Sequence, residues 1–314
     1  MARSIESEKF THDEFCEMNS NHVNACKNQG YVTIAYGARK FFEMAVNLAL
    51  SVKLNDPGRP ICLMHKGAET VPGGVSDIFD DVVAFPANDH YAGTAIKLTI
   101  DRIAPYDEVF YVDSDCIILK KDMDRHWRKH AEDDFMMAGE MRTDGFISSL
   151  DVKRMMEAAG VGYVVDMNSG AFFFRRSKKS KRVFETARHL YHDKQGEFTE
   201  IRARRADGIG DQAFFGAAMA VCDIRPLAYD PCEGTIMATT YRARNIDFDL
   251  DQPCSSLEKA TGFRILGRFW AKGWVKHDTT IGHFVDGMPK KVYQRVSDQL
   301  RAKFDWPSYD FCSN

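Results

Sequence analysis

The sequence predicts an α/β fold in which helices flank a mostly parallel central sheet. Short apolar runs alternate with longer helical patterns, and this alternation builds βαβ units. The run at residues 108–113 is continuously apolar between its ends, which indicates a strand buried on both faces at the centre of the sheet. It ends in carboxylates, and ligands of open α/β sheets bind beyond the carboxyl ends of the strands.

The first half of the chain contains four predicted strands and two predicted helices. Each helix shows apolar residues at helical spacing, and the second one ends before Pro105 because proline cannot continue a helix. The strands are residues 31–36, 60–65, 81–85 and 108–113, and the helices are residues 39–53 and 92–104.

The second half begins with a clear strand and helix and then loses its periodicity. Residues 170–175 form an apolar strand, and a helix follows from Lys178 to His192 with Ser177 as its N-cap. Another apolar helix follows Asp211. Beyond residue 230 we expect irregular structure that forms part of the active site or faces another subunit.

Composition and charge exclude several classes of protein. The 314 residues are 44% hydrophobic, and 42 Lys and Arg against 45 Asp and Glu give a net charge of −3, which argues against a generally basic nucleic-acid binder. No apolar stretch approaches the roughly 18 residues that span a bilayer, and the first 20 residues lack the apolar core of a signal peptide. Eight scattered cysteines without a C-x-x-C pair are typical of reduced thiols. We therefore expect a cytoplasmic protein without a membrane span.

Asp113 and Asp115 follow the central strand directly. Two carboxylates at this spacing make a compact site for Mg²⁺ or Mn²⁺, which bind through one or two carboxylates together with substrate phosphates. The alternative is that they are turn or cap residues, which are common at strand ends. The apolar strand before them and the β-branched pair Ile117 and Ile118 after them favour the metal site.

Two polar segments precede apolar elements. Asn168 and Ser169 offer an amide and a hydroxyl that can hydrogen-bond a sugar, although residue chemistry alone favours a simple turn ending at Gly170. Asp211 and Gln212 begin an apolar helix, where Asp211 is a helix N-cap in the alternative interpretation.

A last constellation lies near the C-terminus. His283 can ligate a metal through a neutral nitrogen, Gly287 allows backbone to approach a phosphate, and Lys290 supplies positive charge. Taken alone, this histidine is better explained as an ordinary, partly buried residue. The functional interpretation depends on all these constellations occurring together and in this order.

In these motifs the sequence resembles the retaining glycosyltransferases of the family 8 type, which include glycogenins and bacterial lipopolysaccharide galactosyl- and glucosyltransferases. The resemblance spans residues 31–295 and rests on these segments: the first strand with Ala35 and Tyr36, Lys97, FYVDSD, MNSG, GDQ and H-x-x-x-G-x-x-K. It implies a GT-A fold, with a Rossmann-like, mostly parallel sheet and a DxD motif at a strand end. The family usually reads H-x-x-G-x-x-K-P-W, whereas here one extra residue precedes Gly287 and Lys291-Val292 follows Lys290.

The resemblance also implies roles for individual residues. A manganese or magnesium ion would be held by Asp113, Asp115 and His283. The donor would be bound by Ala35 and Tyr36 at the nucleotide base, by Asn168 and Asp207 at the sugar, by Lys97, Gly287 and Lys290 at the diphosphate or sugar, and by Ser114 and Ser169. Asp211 and Gln212 would lie beside the anomeric carbon.

These observations predict an N-terminal extension (1–30), a glycosyltransferase domain (31–295) with an insertion at 141–166, and a C-terminal tail (296–314). We expect the protein to transfer a sugar from a nucleotide diphosphate sugar to a hydroxyl on a glycan or other acceptor, with retention of the anomeric configuration. A UDP-sugar is the favoured donor. Two alternatives stay open: a haloacid-dehalogenase-like phosphatase with Asp113 as nucleophile, and a catalytically silent sugar-nucleotide-binding protein.

The sequence has a basic cluster at residues 175–182, with Arg202, Arg204 and Arg205 further on, which could attract an anionic acceptor such as a phosphorylated glycan or a nucleic acid. A solvated helix face is the favoured explanation, because no aromatic residue is interleaved in the cluster for base stacking. The sequence is compatible with a homo-oligomer.

Overall fold

A six-stranded sheet forms the centre of the computed structural model. Across the sheet its strands, numbered in chain order, are β3 (Asp81–Phe85), β2 (Ile61–Lys66), β1 (Gln29–Ile34), β4 (Glu108–Val112), β9 (Val164–Arg175) and β6 (Phe135–Arg142). The strands from β3 to β4 are parallel, whereas β9 runs antiparallel to both of its neighbours. The mostly parallel sheet expected from the sequence is therefore confirmed.

The structure describes residues 28–66, 71–86, 91, 93–147, 150–198, 210–228, 235–251, 256–265 and 268–313. Most of the predicted N-terminal extension, Asp207 and the arginines at 202, 204 and 205 lie outside these ranges. No helix within the described ranges has both the length and the apolar character needed to cross a bilayer. The four described cysteines, Cys62, Cys116, Cys222 and Cys312, are free thiols.

Helices cover both faces of the sheet and bury two apolar cores. Alternate residues of each strand point to opposite faces, so Tyr31 enters one core and Val32 the other. The helix α1 (Arg39–Asn55) packs in the first core, and α4 (Lys178–Phe198) and α5 (Asp211–Val221) pack in the second. The Ser177 hydroxyl accepts a hydrogen bond from the Ser180 amide at 3.1 Å, which confirms Ser177 as the N-cap of α4.

Several predicted elements differ from the structure in bounds or geometry. The helix α4, predicted to end at His192, continues to Phe198. Residues 93–102 form a 3₁₀ helix (Gly93–Arg102) where the sequence predicts an α-helix over 92–104. The strand predicted at 170–175 begins at Val164, so Asn168, Ser169 and Gly170 lie inside β9 and not in a turn before it. The shorter helices are α2 (Met123–Lys129) and α3 (Val152–Ala159), and two further 3₁₀ turns lie at Ser76–Ile78 and Val285–Gly287.

The expectation of irregular structure beyond residue 230 is wrong. One further sheet combines β5 (Cys116–Ile118) with β10 (Thr235–Thr239) and β14 (Thr279–His283), and another combines β11 (Ala243–Asp247), β12 (Ser256–Ile265) and β13 (Arg268–His277). The final helix is α6 (Lys290–Lys303). Periodicity failed to reveal these strands because most of β13 is solvent-exposed and its aromatic residues do not alternate with polar ones as in a half-buried strand.

The predicted domain limits can be placed on these elements. Residues 141–166 comprise the end of β6, a small hairpin of β7 (Phe146–Ile147) and β8 (Leu150–Asp151), α3 and the start of β9. The boundary between residues 295 and 296 falls inside α6, and Tyr293, Val296, Leu300 and Phe311 all pack in the same core as α1.

Candidate active site

Asp113 lies immediately beyond the carboxyl end of β4 and is held there by three neighbours. Its amide donates to the Gly170 carbonyl at 2.8 Å, and its carboxylate oxygen Oδ1 is 2.7 Å from Lys97 Nζ and accepts from the Tyr111 hydroxyl at 2.6 Å. Burial acts to raise the pKa of Asp113, but the charges of Lys97 and His283 outweigh it and lower that pKa. Asp113 is therefore ionised. Its Oδ1 is occupied by Lys97 and Tyr111, and its Oδ2 is available to a ligand.

His283 reaches the two acids although it is far away in the sequence. The strand β14 lies between β10 and β5, and its pairing places His283 opposite Cys116, the residue after Asp115. His283 Nε2 is then 3.1 Å from Asp115 Oδ1 and 3.8 Å from Asp113 Oδ2. The structure therefore brings together the three residues expected at the metal.

The other ring nitrogen of His283 is fixed by Asn168. His283 Nδ1 is 3.0 Å from Asn168 Oδ1, and the Gly170 amide donates to the same oxygen at 2.8 Å. An amide oxygen only accepts hydrogen bonds, so Nδ1 carries a proton and Nε2 is the nitrogen that faces the carboxylates. Asn168 therefore orients His283, and its expected contact with the donor sugar stays a prediction.

A break in strand pairing explains why the segment around Asn168 looked like a turn in the sequence. Met137 pairs with Phe172, whereas Gly139 pairs with Met167. Moving two residues along β6 therefore corresponds to moving five residues along β9, which is a register shift. The residues between leave the β6 ladder, and Ala138 instead pairs with Leu227. A small polar segment with a glycine suits such a bulge, and the bulge turns Asn168 toward His283.

Lys97 connects the metal-site acids to the start of α5. Its ammonium is 3.7 Å from Asp211 Oδ2 and 3.4 Å from both the carbonyl and the hydroxyl oxygens of Ser169, and only 5% of the residue is exposed. Burial alone would lower the pKa of Lys97, but the charges of Asp113 and Asp211 raise it overall. A buried, charged lysine thus separates two carboxylates that would otherwise repel each other.

Asp211 is the first residue of α5, and Gly210 is the N-cap, so the interpretation of Asp211 as a cap is wrong. The residue is 2% exposed, and its Oδ2 has no hydrogen-bond partner. A buried carboxylate oxygen without such a partner is costly, which makes it a ready acceptor for a ligand hydroxyl. The neighbouring Gln212 is half-buried at the same helix start, and Asp207 lies outside the described residues.

The turn after His283 joins the acids to a pocket. The Asp286 amide donates to Asp115 Oδ2 at 2.9 Å, and Asp286 has a left-handed φ of 55° within this turn. The pocket beside it has a volume of about 250 Å³. It is lined by Lys40, Met44, Asp286, Gly287, Met288, Lys290 and Phe311.

The remaining predicted donor contacts lie at the same edge of the sheet. Val32 of β1 pairs with Tyr111 of β4, so Ala35 and Tyr36, just beyond β1, lie at the same sheet edge as Asp113. Ala35 is buried, whereas Tyr36 is half-exposed and its hydroxyl donates to the Gly93 carbonyl at 2.8 Å. Ser114 is 8% exposed between the two acids.

The donor set fits a divalent cation. Asp115 and His283 approach each other closely enough for joint coordination, Asp113 offers its free oxygen, and the Nε2 lone pair faces two carboxylates. Without a cation, the same arrangement requires a proton: burial opposes protonation of His283, but the hydrogen bond and charge of Asp115 raise its pKa overall. Sequence reasoning missed Tyr111 and Asp286, which contact Asp113 and Asp115. It also missed that the Cys116 sulfur lies within 4.8 Å of ligand atoms of Asp115 and His283, although burial raises the pKa of this thiol and it donates to the Gly170 carbonyl.

Comparison with known proteins shows similarity at the level of structure. No family model and no curated protein matches the sequence. Among solved structures, galactosyltransferase LgtC, crystallised with donor and acceptor sugar analogs, is 12% identical with a TM-score of 0.50 over 86% of this chain and 95% of its own. Glycosyltransferase GlyE of Streptococcus pneumoniae is 14% identical, with a TM-score of 0.44 over 66% of this chain and 46% of its own. Mouse xyloside xylosyltransferase 1 is 12% identical, with a TM-score of 0.42 over 68% and 89%. The chain thus has the GT-A glycosyltransferase fold expected from its motifs.

Proposed function

We propose that this protein is a metal-dependent glycosyltransferase that moves a sugar from a nucleotide diphosphate sugar, preferentially a UDP-sugar, to an acceptor hydroxyl with retention. The observation that carries the proposal is the convergence of Asp113, Asp115 and His283 at the carboxyl edge of the sheet. The shared fold with a galactosyltransferase that binds donor and acceptor sugar analogs supports the reaction class. Retention and the uridine base rest on the family resemblance of the motifs.

The residues around the acids suit the departure of a diphosphate. Asp113, Asp115 and His283 would hold a Mn²⁺ or Mg²⁺ ion, which would supply positive charge to stabilise the leaving diphosphate. The pocket next to Asp115 is lined by two lysines, Lys40 and Lys290, and by one acid, Asp286, so its positive charges are in excess and favour an anion. We infer that the diphosphate occupies this pocket.

The sugar would then lie toward Lys97 and the start of α5. The oxygen of Asp211 that lacks a hydrogen-bond partner would accept from a sugar hydroxyl, and the Gln212 amide would face the anomeric carbon. In a front-face reaction the acceptor oxygen forms its bond on the side from which the diphosphate leaves. The acceptor's proton passes to the departing phosphate oxygen, so the reaction needs no protein nucleophile.

A donor screen tests the reaction class. Release of free nucleotide diphosphate from a panel of nucleotide sugars is measured with and without Mn²⁺, and UDP release that requires Mn²⁺ is the expected result. Asp115→Asn should abolish it, whereas Asp124→Asn, an exposed acid on α2, should not. Full activity of Asp115→Asn at saturating Mn²⁺ would contradict the metal assignment.

Two further measurements separate the alternatives. A phosphatase would bind fluoroberyllate at Asp113 and ignore nucleotide sugars, whereas a silent binding protein would bind UDP with Mn²⁺ and release nothing. The anomeric configuration of the product, determined by NMR, tests retention: a β-linked product from an α-linked donor would show inversion.

A further inference from the structure

The hairpin of β12 and β13 leaves the body of the protein beyond Lys259. The strand β11 pairs with β12 only between residues 256 and 259, so the hairpin continues past that point as two strands. A two-stranded ribbon is marginally stable in water by itself. Large apolar side chains exposed on such a ribbon therefore indicate a surface that is covered by a membrane or by another molecule.

The ribbon carries large apolar side chains at its tip. Phe263 is 42%, Ile265 51% and Trp270 56% exposed. Phe263 pairs directly with Trp270, and Ile265 lies two residues further along β12, so these three side chains share one face. The same face of β12 continues through the polar residues Thr261 and Lys259 to Leu257, which is buried in the core. The exposed apolar side chains are thus grouped at the tip of the hairpin, away from the core.

The charge of the hairpin is strongly positive. Between residues 256 and 277 the sequence has five Lys and Arg and one acidic residue, Glu258, in a chain whose net charge is −3. Arg268, Lys272 and Lys276 are exposed at four-residue intervals along β13. Lys272 Nζ lies 5.0 Å from the centre of the Phe263 ring, so cations and apolar side chains are interleaved.

We propose that the hairpin tip is a docking surface for an anionic lipid bilayer, with Phe263, Ile265 and Trp270 entering the interface and Arg268 and Lys272 contacting acidic headgroups. Tryptophan and aliphatic side chains flanked by cations match the apolar and charged layers of such a surface. This inference is independent of the proposed reaction, because docking requires no donor.

Two other occupants fit the observations less well. Pairing of β13 with a second copy would bring the same lysines and arginines of two strands together, and lysines on edge strands oppose that association. A nucleic acid would use aromatic rings for base stacking, but Lys272 already lies over one face of the Phe263 ring and Arg242 lies 3.7 Å from the centre of the Phe269 ring, so Trp270 is the ring of the tip that a base could stack on. Ile265 at the tip offers a base no stacking surface.

The position of the hairpin links the membrane to the candidate site. Lys259 Nζ donates to the Thr239 hydroxyl at 3.1 Å, and Thr239 pairs with His283. The hairpin therefore leaves the body beside the strand end that carries a proposed metal ligand. A docked protein would hold this end of β14 near the bilayer surface.

The test is co-sedimentation of the full chain with vesicles, without any donor. We expect binding to phosphatidylcholine vesicles that contain phosphatidylserine, and weak binding to phosphatidylcholine alone. Phe263→Ser with Trp270→Ser should lower the partition coefficient at least about tenfold, because the apolar contact is lost. Arg268→Glu with Lys272→Glu should lower it about fivefold per residue and remove the preference for acidic lipid.

A matched control reverses two exposed lysines elsewhere. Lys178→Glu with Lys179→Glu on α4 changes the net charge equally and should alter binding less than about twofold. Absence of binding to acidic vesicles, or an equal loss in this control, would overturn the proposal. A change in oligomeric state in the hairpin variants with unchanged vesicle binding would also overturn it, and would assign the surface to a second copy.

Discussion

The His283 ring packs directly against the backbone of Gly170, where a larger residue would clash with it. A Cβ atom at residue 170 would lie 2.4 Å from His283 Nδ1 and 2.8 Å from Asn168 Oδ1. Both atoms belong to the hydrogen bond that orients the imidazole. Glycine is therefore required here so that β9 and the ring of β14 can approach each other, and not for backbone flexibility.

Gly170→Ala tests this packing. The added methyl group should displace the imidazole and weaken Mn²⁺ binding by about 10- to 100-fold, the usual effect of disturbing a residue that orients a ligand. Calorimetric titration with Mn²⁺ measures the change. The control is Gly162→Ala, since a Cβ there meets no atom within 4 Å. Unchanged affinity in Gly170→Ala would show that His283 is not a ligand.

The proton on His283 competes with a metal ion for Nε2, which gives the protein a defined response to pH. In the folded protein the pKa of His283 lies above its ordinary value of 6.5. Protonation of His283 therefore stabilises the metal-free fold, fully so below pH 6.5, and this stabilisation is lost as the pH rises through the raised pKa. Mn²⁺ binding shows the opposite trend, because the ion needs the neutral imidazole.

We therefore expect the stabilisation by a fixed Mn²⁺ concentration to grow as pH rises through 6.5 and above. Thermal unfolding with and without Mn²⁺ across this range measures it. His283→Gln removes the titrating group, and the growth with pH should largely disappear in that variant. An identical pH profile in wild type and variant would assign the effect to other groups, such as Asp113 and Asp115.

At the scale of elements, α6 is anchored to α1 by a buried arginine. Arg301 is 2% exposed, and its guanidinium donates to Asn47 Oδ1 at 2.7 Å and to Glu43 Oε2 at 3.0 Å. Asn47 also donates to the Tyr293 hydroxyl at 3.1 Å. This network fixes the C-terminal helix, which begins just after the turn that contacts Asp115.

Arg301→Ala should destabilise the protein by about 3 kcal/mol, because Asn47 and Glu43 lose their buried donor and Glu43 keeps only the exposed Arg39 as a charged partner. Denaturant unfolding measures the loss. Lys194→Ala on α4 removes the partly exposed ion pair with Glu197 and should cost no more than about 1 kcal/mol. Similar losses in the two variants would mean that the Arg301 network does not hold α6.

The elements also show what the sequence could predict. Strong periodicity identified β1, α1, β4 and α4, because each buries a regular apolar face. The same reasoning took the segment at Asn168 for a turn, because a bulge inside a strand uses the residues that turns use. Motif reasoning selected Asp113, Asp115 and His283, which the fold brings together, and their role at a metal stays a prediction. It could not place Cys116 beside them, because in the sequence Cys116 is one more apolar strand residue.

At the scale of the whole molecule, the candidate site depends on contacts between distant parts of the chain. Asp115 and Asp286 are hydrogen-bonded although they are 171 positions apart, and Asn168 and His283 are 115 positions apart. The link is β14, whose place between β10 and β5 could not be derived from local pattern. The site is thus complete only when the C-terminal third of the chain has folded back on the central sheet.

This closure predicts where ligands change the dynamics of the protein. Residues 279–283 are buried in a sheet, so their amides should be protected from hydrogen exchange even without ligand. The turn at 284–291 lines the pocket and contacts Asp115, so UDP with Mn²⁺ should slow its exchange, and UDP alone should do so much less. Exchange measured by mass spectrometry resolves the two segments. His283→Gln should remove most of the difference that Mn²⁺ makes, since the ion then loses its link to the turn. If ligand protects only the peptides around Asp113 and leaves residues 284–291 unchanged, the metal site is real but the C-terminal turn does not belong to it.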